Sequence, residues 1–187
     1  MMSKAKFKII TALLLLLSVL LNSCSDERSY QHCEMILTLP TSYDKKDPTS
    51  PFNLTDSRGA VHAITMSNAS KLDLALASEN SVVALTRISN EAAQKDGIAP
   101  VGSAQAFANL YRDLSGLDSQ VKLHGEIPYY VYTLTSNTGV GVKFMATFYK
   151  TPYAYFVVLY VALSDIFDGL TDNFLSYAES VRFGAAT

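Results

Sequence analysis

The most regular hydrophobic pattern of the chain lies between Pro128 and Ala162. Three runs rich in Tyr, Val, Phe and Thr are separated there by the short segments SNTG and KTP. Aromatic and β-branched residues favour strands, whereas Gly, Pro, Asn and Ser favour turns. The stretch therefore predicts an antiparallel meander of three strands at the centre of the fold.

Shorter segments predict further strands that pair with this meander. Met35, Leu37 and Leu39 alternate with Glu34, Ile36 and Thr38, and Pro40 ends the run. Similar strand patterns occur at residues 60–66, 82–88 and 121–126. Residues 72–76, with the sequence LDLAL, fit either a strand or a helix.

Three segments predict helices. Asn90 can cap a short helix over EAAQKD, and Ser103 can cap a longer one from Ala104 to Ser115 that Gly116 ends. The longer helix has Phe107, Leu110, Tyr111 and Leu114 at helical spacing. The last segment carries an apolar stripe of Ile166, Leu170, Phe174, Tyr177, Ala178 and Val181. Gly169 interrupts this stripe, so it predicts either one helix or a turn followed by a helix. The order of elements predicts an α+β fold, in which helices cover an antiparallel β-sheet.

The N-terminus has the pattern of an export signal. Lys4, Lys6 and Lys8 precede the apolar run Ile9–Leu21, which is shorter than the roughly 20 residues that span a bilayer. The sequence LNSC then places Cys24 where bacterial lipoprotein signals have their lipidated cysteine, so the segment resembles such a signal. We expect a signal peptide at 1–23, a polar tether at 24–32 and a single domain at 33–187. The alternative is a plain secretory signal in which Cys24 carries no lipid.

Composition restricts the possible partners. Without the three lysines of residues 1–23, 12 basic residues remain against 17 acidic ones, which gives a net charge of −5. A mildly acidic chain without a basic stripe argues against nucleic-acid binding. If Cys24 is lipidated, Cys33 has no partner for a disulfide and is predicted to be buried at the start of a strand; otherwise the two cysteines can pair.

The domain resembles the PsbP/Mog1-like fold, and within it small bacterial lipoproteins of the DcrB type. The resemblance rests on VVALTRI followed by AFANLYRDL, on the tyrosine-rich meander, on SDIFDG after it, and on the final FLSYAESVRF. It implies an α/β/α sandwich. Members of the family serve as photosystem assembly or stabilising subunits, as a GTPase partner, or as envelope proteins, and the resemblance implies no catalytic residues.

The sequence contains no G-x-S-x-G, H-E-x-x-H, phosphate-loop or C-x-x-C motif. His124 and Glu126, with His62, could in principle hold zinc, but polar residues two apart are also typical of a half-exposed strand. Asp165, Asp168 and Asp172 suit the start of a helix better than a calcium loop. We therefore predict no catalytic residue, metal site or cofactor.

Seven of the eleven tyrosines lie in the meander. Alternation predicts that Tyr130 and Tyr132 share one face, as do Tyr153 and Tyr155. Strand propensity alone accounts for them, and the functional interpretation is a binding surface for a protein partner or a sugar. We expect a non-enzymatic protein held on the membrane by lipid on Cys24, at the outer membrane of a Gram-negative cell or the outer face of a Gram-positive one. It would bind an unidentified protein partner. The alternative is an envelope enzyme or small-molecule binder with a cleft between the sheet and the helices.

Overall fold

The computed structural model describes residues 27–45, 61–69, 80–98, 100–136 and 139–184, with backbone alone for 61–63. The signal segment, Cys24 and the LDLAL segment lie outside the described residues. The elements are β1 (Glu27–His32), β2 (Met35–Pro40), β3 (Asp44–Lys45), β4 (Val61–Ser67), β5 (Ser81–Ser89), α1 (Asn90–Lys95), α2 (Ala104–Leu114), β6 (Lys122–His124), β7 (Ile127–Thr135), β8 (Gly141–Lys150), β9 (Ala154–Leu163), α3 (Ser164–Glu179) and β10 (Arg182–Phe183).

The predicted meander is confirmed as β7, β8 and β9, which pair antiparallel in sequence order. They belong to a seven-stranded sheet with the order β3-β4-β5-β9-β8-β7-β6. Every adjacent pair of strands in this sheet is antiparallel. β9 lies between β5 and β8, and nine of its ten residues are buried, so the most apolar strand of the sequence is the central one.

Both faces of the large sheet are covered, which confirms the predicted fold class. On one face α1 and α2 pack over the sheet, and the buried ring of Phe107 contacts Phe148 and Tyr155 at centroid distances of 5.3 and 4.9 Å. On the other face lie α3 and a second, three-stranded sheet of order β1-β2-β10. Because side chains alternate along a strand, β9 supplies apolar residues to both cores.

The helix ends follow the predicted chemistry with one correction. The Ser103 hydroxyl accepts a hydrogen bond from the Ala106 amide, and Gly116 follows α2 with a φ of +65°. The cap of α1, however, is Ser89 rather than Asn90. Ser89 has an extended backbone and accepts from the Ala92 amide at 3.1 Å. The Asn90 side chain instead donates to the carbonyl oxygen of Pro152, so it fixes the β8–β9 turn.

The last apolar stripe forms one continuous helix, α3, that passes through Gly169, except that Val181 lies just after the helix and is buried there. Gly169 is exposed, so its missing side chain leaves no gap in the core. Phe174 and Ala178 of the stripe are buried, and so is Phe167, which the predicted stripe omitted. On α2 the predicted apolar face is one residue too long, because Leu114 is 60% exposed at the end of the helix.

The N-terminal boundary of the fold differs from the prediction. Residues 27–32, expected to be part of the tether 24–32, form β1 and pair with β2 over six residue pairs. Cys33 is not a buried residue at the start of a strand. It is exposed in the two-residue turn between these strands, with a φ of +52°. Glu34, the second turn residue, is buried instead.

Two buried tyrosines on the α3 side of the sheet allow a matched prediction. The Tyr149 hydroxyl donates to the carbonyl oxygen of Ala178 at 3.0 Å. The Tyr160 hydroxyl is also buried, and in the described structure it makes no hydrogen bond that meets the usual limits of distance and angle. Tyr149→Phe removes the donor of an existing hydrogen bond and leaves a buried carbonyl oxygen without it. We therefore expect this variant to lower the free energy of unfolding by about 1–2 kcal/mol. Tyr160→Phe should leave it unchanged or raise it.

Chemical denaturation of the two variants measures this difference. A loss in Tyr160→Phe as large as that in Tyr149→Phe would show that the Tyr160 hydroxyl is bonded after all.

Candidate functional site

An open groove of about 350 Å³ lies beyond the start of β7 and the end of β8. One wall is the end of α3 and the following chain into β10, and α2 contributes its first residue on the other side. The charged residues of the lining are Glu126, Lys150, Glu179 and Arg182, and its aromatic residues include Tyr149 and Phe183. This volume is at the lower end of the range of ligand pockets in proteins.

The floor of the groove is aromatic. The Phe183 ring packs against Phe156 and Tyr149 with centroid separations of 5.2 and 6.1 Å, and Phe183 stays 40% exposed. The hydrogen bond from Tyr149 to Ala178 holds the end of α3 onto the sheet at this point. Burial raises the pKa of the Tyr149 hydroxyl above its usual value, so it stays protonated and keeps its role as a donor.

Charged side chains form the rim. Lys150 and Glu126 are exposed, and they carry opposite charges. His124 of β6 contacts Glu179 with a distance of 2.8 Å from Nε2 to Oε1, which links the edge of the sheet to α3. The Arg182 guanidinium donates to the carbonyl oxygens of Glu179 and Val181, so it satisfies groups at the end of the helix. The groove therefore offers an apolar floor between charges of both signs.

A buried ion pair positions β10, the strand that carries Phe183. Arg87 of β5 donates to both carboxylate oxygens of Glu34, at 3.0 and 3.3 Å. The Glu34 carbonyl oxygen also accepts from the Gly184 amide at 2.8 Å, directly after β10. Burial alone would raise the pKa of the Glu34 carboxyl, but the Arg87 hydrogen bond, a backbone hydrogen bond and the charges of Arg87 and His32 outweigh it and lower that pKa. Neither residue was singled out in the sequence, because nothing in the pattern relates positions 53 residues apart.

The β1–β2 hairpin defines where the groove lies relative to the N-terminus. Phe183 pairs with Met35, beside the hairpin turn, whereas Glu27 pairs with Pro40 at the opposite end. Five residue steps along a strand separate the two ends by about 17 Å. The groove thus lies at the end of the hairpin that is distant from the first described residue.

The four predicted tyrosines do not form one exposed surface. Tyr130 and Tyr155 are buried under the helices, and the Tyr155 hydroxyl accepts from the Val101 amide at 3.2 Å. Tyr132 is half-buried and stacks on Phe144 with a centroid distance of 4.8 Å. Burial raises the pKa of Tyr132 to about 12. Tyr153 lies in the turn before β9, not in a strand, and is 64% exposed. Tyr130 and Tyr155 are buried because helices cover them, and the strand pattern alone does not show where those helices pack.

The polar residues considered for metal binding are dispersed among other contacts. His124 contacts Glu179 rather than Glu126, and the side chain of His62 lies outside the described residues. Asp168 pairs with Lys143 at 2.9 Å, and Asp165 lies in the first turn of α3. In the described part of the chain, no three His, Cys, Asp or Glu residues lie together as a metal site would require. The described residues also include no helix with the length and apolarity to cross a bilayer.

Comparisons with known proteins concern the fold. No family model matches the chain, and no curated protein sequence is significantly similar to it. A protein from Bacteroides thetaiotaomicron VPI-5482, solved by crystallography, superposes with a TM-score of 0.52 at 7% identity, over 85% of this chain and 49% of its own. This chain therefore spans about half the length of that protein. Cyanobacterial PsbP (CyanoP) from Synechocystis sp. PCC 6803 matches with a TM-score of 0.49 at 14% identity, over 87% of this chain and 95% of its own.

Proposed function

We propose that the protein is a non-enzymatic, lipid-anchored protein of the cell envelope that binds a segment of a protein partner in the groove. The observation that carries the proposal is the aromatic floor around Phe183 between the opposite charges of Lys150 and Glu126. Exposed aromatic residues with a polar rim are typical of protein-binding sites. The predicted family resemblance, which includes subunits that act by binding other proteins, supports the same function.

The chemistry of the lining favours binding over catalysis. Among the described residues that line the groove, none is a Ser, Thr or Cys that could act as a nucleophile. The imidazole next to the groove, His124, contacts Glu179 and has no nucleophile to activate there. The charged and aromatic groups of the lining supply charge and apolar surface, which the recognition of a polypeptide segment requires.

The position of the groove also fits an anchored protein. If Cys24 carries lipid, only Ser25 and Asp26 separate it from β1. Three residue steps reach about 10 Å, so the Glu27 end of the hairpin would be held close to the bilayer. The groove, at the other end of the hairpin, would then face away from the membrane. It would be accessible to a soluble partner or to a part of a membrane protein that projects from the bilayer.

Photocrosslinking in the native cell tests the proposal. A benzophenone amino acid is placed either at Phe183 in the groove or at Tyr153, an exposed aromatic residue outside it. We expect a discrete adduct with a second protein from position 183 only. Lys150→Glu should remove the adduct because it reverses the charge on the rim, whereas Lys122→Glu, which changes an exposed lysine outside the lining, should keep it.

Adducts that are the same from positions 183 and 153, or no adduct from position 183, would contradict partner binding in the groove.

A further inference from the structure

The outer edge of β7 is only partly paired. β8 pairs with Tyr129–Thr135 on one side, whereas on the other side β6 pairs only with Ile127–Tyr129. The segment Val131–Thr135 therefore has a strand neighbour on one side alone. All five residues belong to the described structure, and none of the described strands continues beside them.

The two flanking hairpins show which backbone groups of β7 point away from β8. The two-residue turn Gly125–Glu126 makes His124 and Ile127 a hydrogen-bonded pair, so odd-numbered residues of β7 direct their N–H and C=O groups towards the β6 side. On the other side the Ser136 amide donates to Val140, so even-numbered residues bond to β8. Val131, Thr133 and Thr135 therefore point their backbone donors and acceptors away from the sheet.

This segment lacks the features that usually protect a sheet edge. Natural edge strands are protected by charged residues, proline or bulges. The four edge strands of the described sheets each include a charged residue: Glu27 and Arg28 in β1, Arg182 in β10, Asp44 and Lys45 in β3, and Lys122 in β6. Val131–Thr135, with the sequence VYTLT, contains no charge, Pro or Gly. Thr133 and Thr135 are exposed, and so is Leu134, at 51%.

We propose that a second copy of this chain pairs antiparallel with the β7 edge, about a two-fold axis at Thr133. Such an axis places Thr133 opposite Thr133 of the second copy, Val131 opposite Thr135, and Tyr132 opposite Leu134. The free backbone groups of one copy then bond those of the other. The segment is therefore self-complementary. On one face of the sheet β-branched residues of the two copies meet, and on the other face Tyr132 of each copy meets Leu134 of the other.

The side chains favour this arrangement over leaving the edge in water. Each exposed Leu134 is covered by Tyr132 of the second copy, and that ring is already held by its stacking on Phe144. Aromatic–aliphatic and Thr–Thr cross-strand pairs stabilise antiparallel sheets. The absence of charge means that no like-charge repulsion opposes the approach of an identical strand. A five-residue edge is a small interface, so the association is weak and benefits from confinement on a membrane surface.

Cysteine trapping in the full-length protein tests the inference. In a Cys33→Ser background, Thr133→Cys places two thiols on the two-fold axis, because paired residues of antiparallel strands have Cα atoms about 5.5 Å apart. A short bis-maleimide is then added to membranes. We expect a covalent homodimer, identified by mass. Ser29→Cys, an exposed strand residue of β1 in the same background, should remain largely monomeric.

Second-site variants show whether the trapped contact is the proposed one. Leu134→Lys in the Thr133→Cys background should reduce trapping by at least about tenfold, since both copies bring a charge to the edge. Tyr153→Lys removes an exposed apolar residue at the opposite end of β8 and should leave trapping unchanged. The proposal is overturned if Thr133→Cys is trapped no more than Ser29→Cys, or if the adduct has the mass of a different protein. Circular dichroism and thermal melting confirm that each variant is folded.

Discussion

We expect the replacement of Glu34 by alanine to lower the free energy of unfolding by about 3 kcal/mol. The variant leaves the Arg87 guanidinium, whose side chain is 20% exposed, without its carboxylate partner on an otherwise apolar face of the sheet. Breaking a buried pair from one side is costly because the remaining charge is neither paired nor fully hydrated. The residual exposure of Arg87 keeps the loss at the lower end of the range for such pairs.

The exposed ion pair between Glu91 and Lys95 is the matched control. Both side chains of this i,i+4 pair on α1 are more than 70% exposed. We expect Glu91→Ala to change the stability by no more than about 0.5 kcal/mol. Denaturant titration of both variants, with Arg87→Ala and the double variant to complete a cycle, measures the coupling. Equal losses for Glu34→Ala and Glu91→Ala would contradict the importance of the buried pair.

The same pair predicts a pH dependence. The pKa of Glu34 is lower in the folded protein than its ordinary value of 4.5. The unfolded state therefore binds the proton more tightly, and the stabilisation is fully present above pH 4.5 and is lost as the pH falls through the folded pKa. The difference in stability between the wild type and Glu34→Gln should shrink in acid. A difference that stays constant below the ordinary pKa would contradict a charged Glu34.

If Cys24 carries the proposed lipid, we expect Cys24→Ala to move the protein from the membrane to the soluble fraction and to abolish fatty-acid labelling. Each buried methylene of an acyl chain contributes about 0.8 kcal/mol to membrane binding, so two or three chains form a stable anchor. Loss of these chains would remove that binding free energy. Without residues 1–23 the chain has a net charge of −5, which provides no electrostatic attraction to anionic lipid in place of the proposed anchor.

Radiolabelled palmitate and membrane fractionation measure this prediction. Cys33→Ser is the control, because its thiol lies in an exposed turn of the folded domain and should not carry the lipid. Equal labelling of the wild type and Cys24→Ala would contradict lipid attachment at Cys24, and no labelling of either would indicate a plain secretory signal. The groove and the β7 edge would then belong to a freely diffusing protein, and the weak pairing of two copies would lose the benefit of confinement.

The photocrosslinking and cysteine-trapping experiments concern separate surfaces. The groove lies beyond the start of β7, whereas the free edge begins at Val131 and runs towards the end of the strand. One site can therefore fail without the other. An adduct with a partner at Phe183 but no trapped homodimer would contradict only the pairing of two copies. A trapped homodimer without such an adduct would contradict only partner binding in the groove.

Much of the fold could be predicted because it depends on local patterns. Strand alternation and turn residues predicted the meander, and Ser103 with Gly116 predicted both ends of α2. Where the prediction was wrong, a second element decided the outcome. β1 looks polar and tether-like in sequence, since only Tyr30 of its six residues is buried, yet pairing with β2 makes it a strand.

The sequence by itself determined the class of fold, because apolar periodicity specifies which segments must bury a face, and it predicts the anchor through a contiguous motif ending at Cys24. Only the tertiary structure decided the site. The groove combines residues from the ends of β7 and β8, from the start of α2 and from the α3–β10 segment, and the Glu34–Arg87 pair joins two sheets. Packing also placed Tyr130 and Tyr155 under helices and left the β7 edge open. These outcomes depend on long-range contacts between segments, which no local spacing encodes.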